Sequence, residues 1–122
     1  MGGGRGKSRA MTRVLGAVLV LSALAGCGTP CSRIAAAEQA ADDKGSGCNS
    51  SRNAWTPSQV TTCEGNLDDC TQNDLKQLDL YAQCLNALPR CGEGQRTSWE
   101  LQRFACASDN LLLKVSARCA SR

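Results

Sequence analysis

The 122 residues contain no histidine, which removes the commonest general base and the usual nitrogen ligand of zinc and haem. A Ser-His-Asp or Cys-His constellation cannot be assembled. Nine cysteines are present, yet no two are spaced C-x-x-C, so neither a zinc ribbon nor a thioredoxin-like redox pair is encoded. No glycine-rich phosphate loop occurs. Only four residues are aromatic, Trp55, Tyr81, Trp99 and Phe104, and a core with so few large side chains has to be modest. A single hydrophobic run is found, the twelve uncharged residues from Val14 to Ala25. That is too short for a spanning helix, which needs ~20 apolar residues.

What is present begins with an address. Arg5, Lys7, Arg9 and Arg13 make a basic stretch without an acid, the run Val14 to Ala25 follows, and Leu24-Ala25-Gly26-Cys27 closes it. The layout is that of a signal peptide, with an n-region and an h-region of ~7 to 15 residues. Leu24-Ala25-Gly26-Cys27 resembles the lipobox of bacterial lipoprotein precursors, a likeness that covers the first 27 residues. The resemblance implies that a diacylglycerol is attached to the Cys27 thiol and that a dedicated peptidase cuts just before it. It also implies the outer membrane rather than the inner one, because Gly28 stands where retained members of the family carry Asp. Ala23-Leu24-Ala25 also fits the general signal peptidase, which would release Gly26 onward. Cysteine parity separates the two: lipid on Cys27 leaves eight thiols for disulfides, whereas plain secretion leaves one unpaired. Met11 offers a second start for the same signal. The expected division is a signal peptide at 1–26, a lipidated cysteine and short tether at 27–30, and a cysteine-rich domain at 31–122.

Removal of the leader changes the charge argument. Of 14 Lys and Arg, four lie in the leader and ten follow it, while all 11 Asp and Glu follow it, so the mature net charge is near minus one. No basic patch with interleaved aromatics remains, and nucleic-acid binding has no electrostatic footprint. The scattered charges read as a solvated surface. The adjacent acids Asp42-Asp43 and Asp68-Asp69 diverge on a helix and read as solvating or capping residues near helix ends. Ser46, within Gly45-Ser46-Gly47, is a linker residue and not a nucleophile elbow. No catalytic role, metal site or cofactor is expected.

The fold class expected is all-α, a small disulfide-stapled helical bundle built on an antiparallel helical hairpin. A first helix reads from Ser32, as cap, to Asp43, with an alanine face suited to close packing. Lys44-Gly45-Ser46-Gly47 breaks it, and 49–62 reads as irregular, with a turn of helix near Thr56-Pro57-Ser58 and Trp55 available to plug the core. Thr71 caps with Asp74 the next long helix, whose Leu75, Leu78, Tyr81, Ala82, Leu85 and Leu88 recur at three and four before Pro89. Its partner runs from Thr97 or Ser98 to about Ala117, with Leu101, Phe104, Ala105, Ser108, Leu111, Leu112 and Val115 as the buried face and Ser108-Asp109-Asn110 as a place to kink or split.

Cys63, Cys70, Cys84 and Cys91 differ by seven, fourteen and seven residues, which would return them to nearly one helical face. Gly65, Asn66 and Pro89 preclude a single continuous helix. In an antiparallel hairpin, facing residues share a constant index sum, and Cys84 with Cys106 and Cys70 with Cys119 differ by one in that sum. These two rungs are expected. Cys106 and Cys119 would stand ~140° apart on an ideal helix, so Cys119 must lie beyond the helix end or the helix must bend. Cys48 with Cys63 and Cys31 with Cys91 completes the set by assumption, among three possible pairings.

The resulting expectation is a lipid-anchored module of the bacterial cell envelope, held to its membrane through Cys27, with a structural or protein-interaction role. A carrier of a lipid or other small molecule is the alternative, and would need a dry cavity of some hundreds of Å³. An enzyme inhibitor acting through an exposed loop at Arg90 to Arg96 is a third.

Overall fold

A computed structural model of the chain describes Gly2 and residues 28–52 and 54–120, and every regular element among them is helical. Cys27 and the lipobox lie outside the described residues. Helix α1 spans Pro30–Gly45. The Thr29 hydroxyl accepts the Ser32 N–H at 3.1 Å and Pro30 opens the first turn, so the cap is Thr29 and not Ser32, whose own hydroxyl turns back to the Thr29 carbonyl. Pro is favoured there because its φ is preset and its missing N–H would be unpaired in any case. Pro30, expected to belong to a tether, is already the first residue of α1.

A short 3₁₀ turn, Ser46–Cys48, ends α1, and the chain then runs extended to α2, Pro57–Gly65. The segment expected to be mostly irregular is thus helical in its second half. Its start is a reciprocal capping box, with Thr56 accepting the Gln59 N–H and the Gln59 side chain accepting the Thr56 N–H at 2.8 Å. A second 3₁₀ turn, Leu67–Asp69, leads to α3, Gln72–Ala87. There Thr71 and Asp74 form the expected box, satisfying two backbone donors at once. Helix α4 spans Arg96–Asn110 and begins without a side-chain cap. It stops at Asn110, and α5, Ala117–Ala120, follows an irregular turn in which Leu113 has φ +62°. That left-handed conformation costs a leucine about 1–2 kcal/mol. The break resolves the angular problem of Cys119, which sits in α5 beyond the end of α4.

Helix α1 runs alongside α3 in the same direction, with Arg33 against Asp79, Glu38 against Tyr81, and Lys44 Nζ donating to the Asn86 carbonyl at 2.6 Å. Its buried Ala37 and Ala41 let the backbones approach closely, and Ile34 joins the same core cluster as Tyr81, Ala82 and Leu85 of α3. Packing of α1 on α3 is more extensive than that of the α3–α4 hairpin. Helix α4 is antiparallel to both. Trp99, only 2% exposed, plugs the core, whereas Trp55 is half-buried at its edge. The Trp99 ring leaves no room at Gly45, where a Cβ would stand 2.4 Å from the Ser50 carbonyl oxygen and 2.9 Å from the ring. Its Nε1 donates to the Pro89 carbonyl at 2.8 Å.

Four disulfides tie these elements together. Cys84–Cys106 and Cys70–Cys119 are the two rungs expected from the hairpin register. The other two differ from expectation: Cys31 pairs with Cys63 and Cys48 with Cys91, not Cys48 with Cys63 and Cys31 with Cys91. The reason is the path of α1. It separates Cys31 and Cys48 to opposite ends, so α2 closes on the first through Cys63, while the loop after α3 meets the second, where the Cys91 N–H also donates to the Lys44 carbonyl at 2.9 Å.

Peptide mapping of the unreduced protein should return four linked pairs, 31–63, 48–91, 70–119 and 84–106. A 48–63 or 31–91 link would show that α1 is not placed as described.

Candidate functional site

Helix α1 carries Glu38 and Asp42 one turn apart, and α4 carries Trp99, Arg103 and Cys106 along one stripe, so the two helices meet acid against guanidinium. Arg103 Nη1 donates to Asp42 Oδ1 at 2.7 Å, and Nη2 donates to Glu38 Oε2. Its Cζ lies 5.8 Å from the centre of the Trp99 ring. Asp42 Oδ1 also accepts the Arg52 N–H at 3.0 Å, and Tyr81 donates its hydroxyl to the other oxygen of Glu38. All four side chains are covered by the fold, Arg103 at 5% exposure. Burial works against the guanidinium charge, but the hydrogen bonds it donates to Asp42 and Glu38, with their negative charges, outweigh it and raise the Arg103 pKa further. Burial, with the bond to Glu38 and its charge, pushes the Tyr81 phenol up, so it remains a donor and not a base.

This network floors an open cleft of about 180 Å³ lined by Glu38, Arg52, Trp55, Tyr81, Arg103, Phe104 and Ala107. The Glu38 carboxylate and the Arg103 guanidinium lie at its base, and Asp42 is not part of its lining. Aromatic edges from Trp55 and Phe104 form the walls. Ligand pockets of the carrier type are typically ~300–1,000 Å³ and mostly apolar. This cleft is smaller, and its floor is ionic.

A second polar cluster lies at the far end of the hairpin. Asp74 accepts the Thr71 N–H at 2.8 Å, the Ser116 N–H at 2.8 Å and the Ser116 hydroxyl at 2.7 Å. The backbone donors Ser116 and Thr71, followed by the Ser116 hydroxyl, hold its pKa down from 3.8 to about 2. The side chain is shielded, at 2% exposure, yet lies at the periphery of the fold rather than deep within it. The cluster joins the start of α3 to the turn before α5, beside Cys70–Cys119.

The outward face of α4 differs from expectation. Leu101 and Phe104 are 64% and 59% exposed, and Leu112 and Leu113 project from the turn beyond, while Trp99, Arg103 and Cys106 are the buried residues. Cys106 must face Cys84, and residues two positions apart diverge by ~200° on a helix, so Phe104 cannot share its side. Asp42, read from sequence as a solvating residue, is instead a buried ion-pair partner; Asp43, its neighbour, is exposed. The signal that could have found the pair was Glu38 and Asp42 at a four-residue spacing on the alanine face. Arg103 falls on the stripe shared by Trp99 and Cys106.

All eight cysteines of the described residues are in disulfides. Among the described residues, no group of acids and cysteines is arranged to hold a metal ion, and no helix is long and apolar enough to cross a membrane. Compared with known proteins, the chain matches no family model, no curated protein and no solved structure.

Replacing Arg103 by Ala should destabilise the domain by about 3–5 kcal/mol, because Glu38 and Asp42 are left without a counter-charge. The triple change R103M/E38Q/D42N should recover most of that loss in chemical denaturation. Asp74 makes a separate, pH-dependent contribution. Its folded pKa is depressed, so its stabilisation is present above about pH 4 and is lost as pH falls toward 2. In D74N, the dependence of stability on pH across that window should flatten.

Proposed function

We propose that this protein is a bacterial envelope lipoprotein, exported and anchored through lipid on Cys27, whose helical domain docks a protein partner through the outer face of α4. The observation that carries the reading is the exposure of Leu101 and Phe104 on a helix whose opposite side is fastened by Cys84–Cys106 and the Arg103 ion pair. In a domain so poor in large apolar side chains, leaving two of them in water is a notable loss of possible core. Large apolar residues grouped on a rigid element are characteristic of interaction sites. The partner fitted by this face is an envelope protein with a complementary apolar surface and no requirement for charge.

The anchor is supported by the lipobox-like Leu24-Ala25-Gly26-Cys27 and by the pairing of the remaining eight cysteines, which leaves Cys27 as the odd thiol. An oxidising compartment is the setting in which four disulfides persist. A carrier role draws no support from the cleft, whose size and ionic floor suit an apolar cargo poorly. The network holds Arg103, Glu38, Asp42 and Tyr81 in mutual hydrogen bonds, and the role we propose for the domain is docking.

Two measurements test this function. Mass spectrometry of the protein isolated from bacterial membranes should find an amino-terminal Cys27 peptide carrying acyl chains, and a Cys27→Ala variant should be lost from the membrane fraction. A photo-crosslinking residue at position 104 should yield a discrete protein adduct in cells, abolished by L101D, while the same residue at the exposed Gln83 of α3 should not. L101D itself should melt within a few degrees of the parent, since the side chain it replaces is in solvent. Absence of acyl chains would overturn the anchor, and equal labelling from positions 104 and 83 would overturn the docking face.

A further inference from the structure

We infer that the turn after α4, through Leu112 and Leu113, is a second membrane contact that sets the domain end-on to the bilayer. The inference rests on the lipid-anchor reading above for where the membrane lies, and on the fold for what faces it.

The direction of the helices places the two features together. Trp99 packs at Gly45, and Arg103 pairs with Asp42 and Glu38, so α4 descends as α1 ascends. The end of α4 is thereby level with the start of α1, where the chain leaves through Thr29 and Gly28 toward Cys27. Three further contacts collect at this end: Thr29 donates to Glu64 at 2.8 Å, Cys31 joins Cys63, and Asp74 holds Ser116. Helix α1 begins at Pro30, so three residue steps separate its first residue from Cys27 and span about 10 Å at most. A lipid on Cys27 brings this end of the domain to the bilayer surface.

Leu113 is fully exposed and Leu112 more than half exposed, and they form the apolar tip of that end. Leu113 also takes a left-handed backbone conformation that a leucine rarely adopts. Charge of both signs lies at this end: Arg118 is in α5, which packs on the 67–69 turn that carries Asp68 and Asp69, and Lys114 follows Leu113 in sequence. The contact is therefore apolar, with the lysine stem able to lie along the interface and its ammonium in water. Such a contact is insensitive to salt. It leaves Leu101, about two and a half turns above the end of α4, clear of the bilayer for a protein partner.

The test uses the full chain purified from bacterial membranes and reconstituted in vesicles of phosphatidylethanolamine and phosphatidylglycerol, in which part of the lipid carries bromine at shallow acyl positions. In Leu113→Trp, bromolipid quenching should exceed that of the parent's two tryptophans about twofold or more, unchanged between low and high salt. In Leu101→Trp the added quenching should be absent. Adding L112S should cut the quenching at position 113 severalfold, since each buried leucine is worth about a tenfold change in partitioning. If the indole introduced at position 113 stays open to an aqueous quencher and untouched by bromolipid, the inference falls, even where mass spectrometry finds the acyl chains on Cys27. If no acyl chains are found, bromolipid quenching at position 113 on mixing with vesicles still upholds the contact, and its absence overturns it. Quenching at position 101 as strong as that at position 113 overturns the end-on placement. Protection of the indole at position 113 in a dimer, without bromolipid quenching, assigns the tip to a second copy and overturns the inference as well.

Discussion

Inside this small domain a guanidinium group is enclosed by two carboxylates from a neighbouring helix, and the rotation of α4 follows from that contact. Arg103 can reach Glu38 and Asp42 only if its side of α4 faces α1. On the same stripe, Trp99 then enters the core beside Gly45 and Cys106 meets Cys84. The competing arrangement would bury Leu101 and Phe104, worth about 2 kcal/mol each. It would forfeit a disulfide worth about 2–4 kcal/mol and would leave buried carboxylates unpaired at about 3–5 kcal/mol. The ionic and covalent side wins, and the apolar residues are left outside.

The same scarcity of large side chains explains the rest of the architecture. Where bulk is lacking, close approach substitutes for it: Ala37 and Ala41 let α1 lie against α3, and Gly45 lets the Trp99 ring touch backbone. Staples then hold what the core cannot. Cys31–Cys63 fastens α2 to the start of α1, Cys48–Cys91 fastens the end of α1 to the loop after α3, and Cys70–Cys119 holds α5 to the foot of the hairpin. At the foot of the hairpin a covalent link and a polar cluster act together, Cys70–Cys119 beside Asp74 and Ser116.

In the arrangement we propose, these features divide the work between the two parts of α4. Its rigid middle presents Leu101 and Phe104 to a partner, and the turn beyond presents Leu112 and Leu113 to the membrane. The short distance from Pro30 to Cys27 makes the second possible, because a long linker would let the domain tumble free of the surface. Orientation, and not affinity alone, is what a docking module at a membrane requires.

Local chemistry was legible from the chain. The capping box of Thr71 and Asp74, the three-and-four recurrence of Tyr81, Ala82 and Leu85, and the index sums of Cys84 with Cys106 and Cys70 with Cys119 depend only on residues near one another or on one short antiparallel connection. An all-α stapled bundle follows from them. The pairing of Cys31, Cys48, Cys63 and Cys91 does not, because it depends on α1 running parallel to α3 across a long intervening segment, which no local register encodes. The buried face of α4 does not either. Its hydrophobic periodicity pointed to Leu101 and Phe104, and only the position of Glu38 and Asp42 on another helix, with the fixed direction of one disulfide, turned Arg103 inward. Sequence by itself determined the helices and the hairpin; tertiary structure decided which sides of them meet, because charge pairing and covalent links act between segments that are distant along the chain.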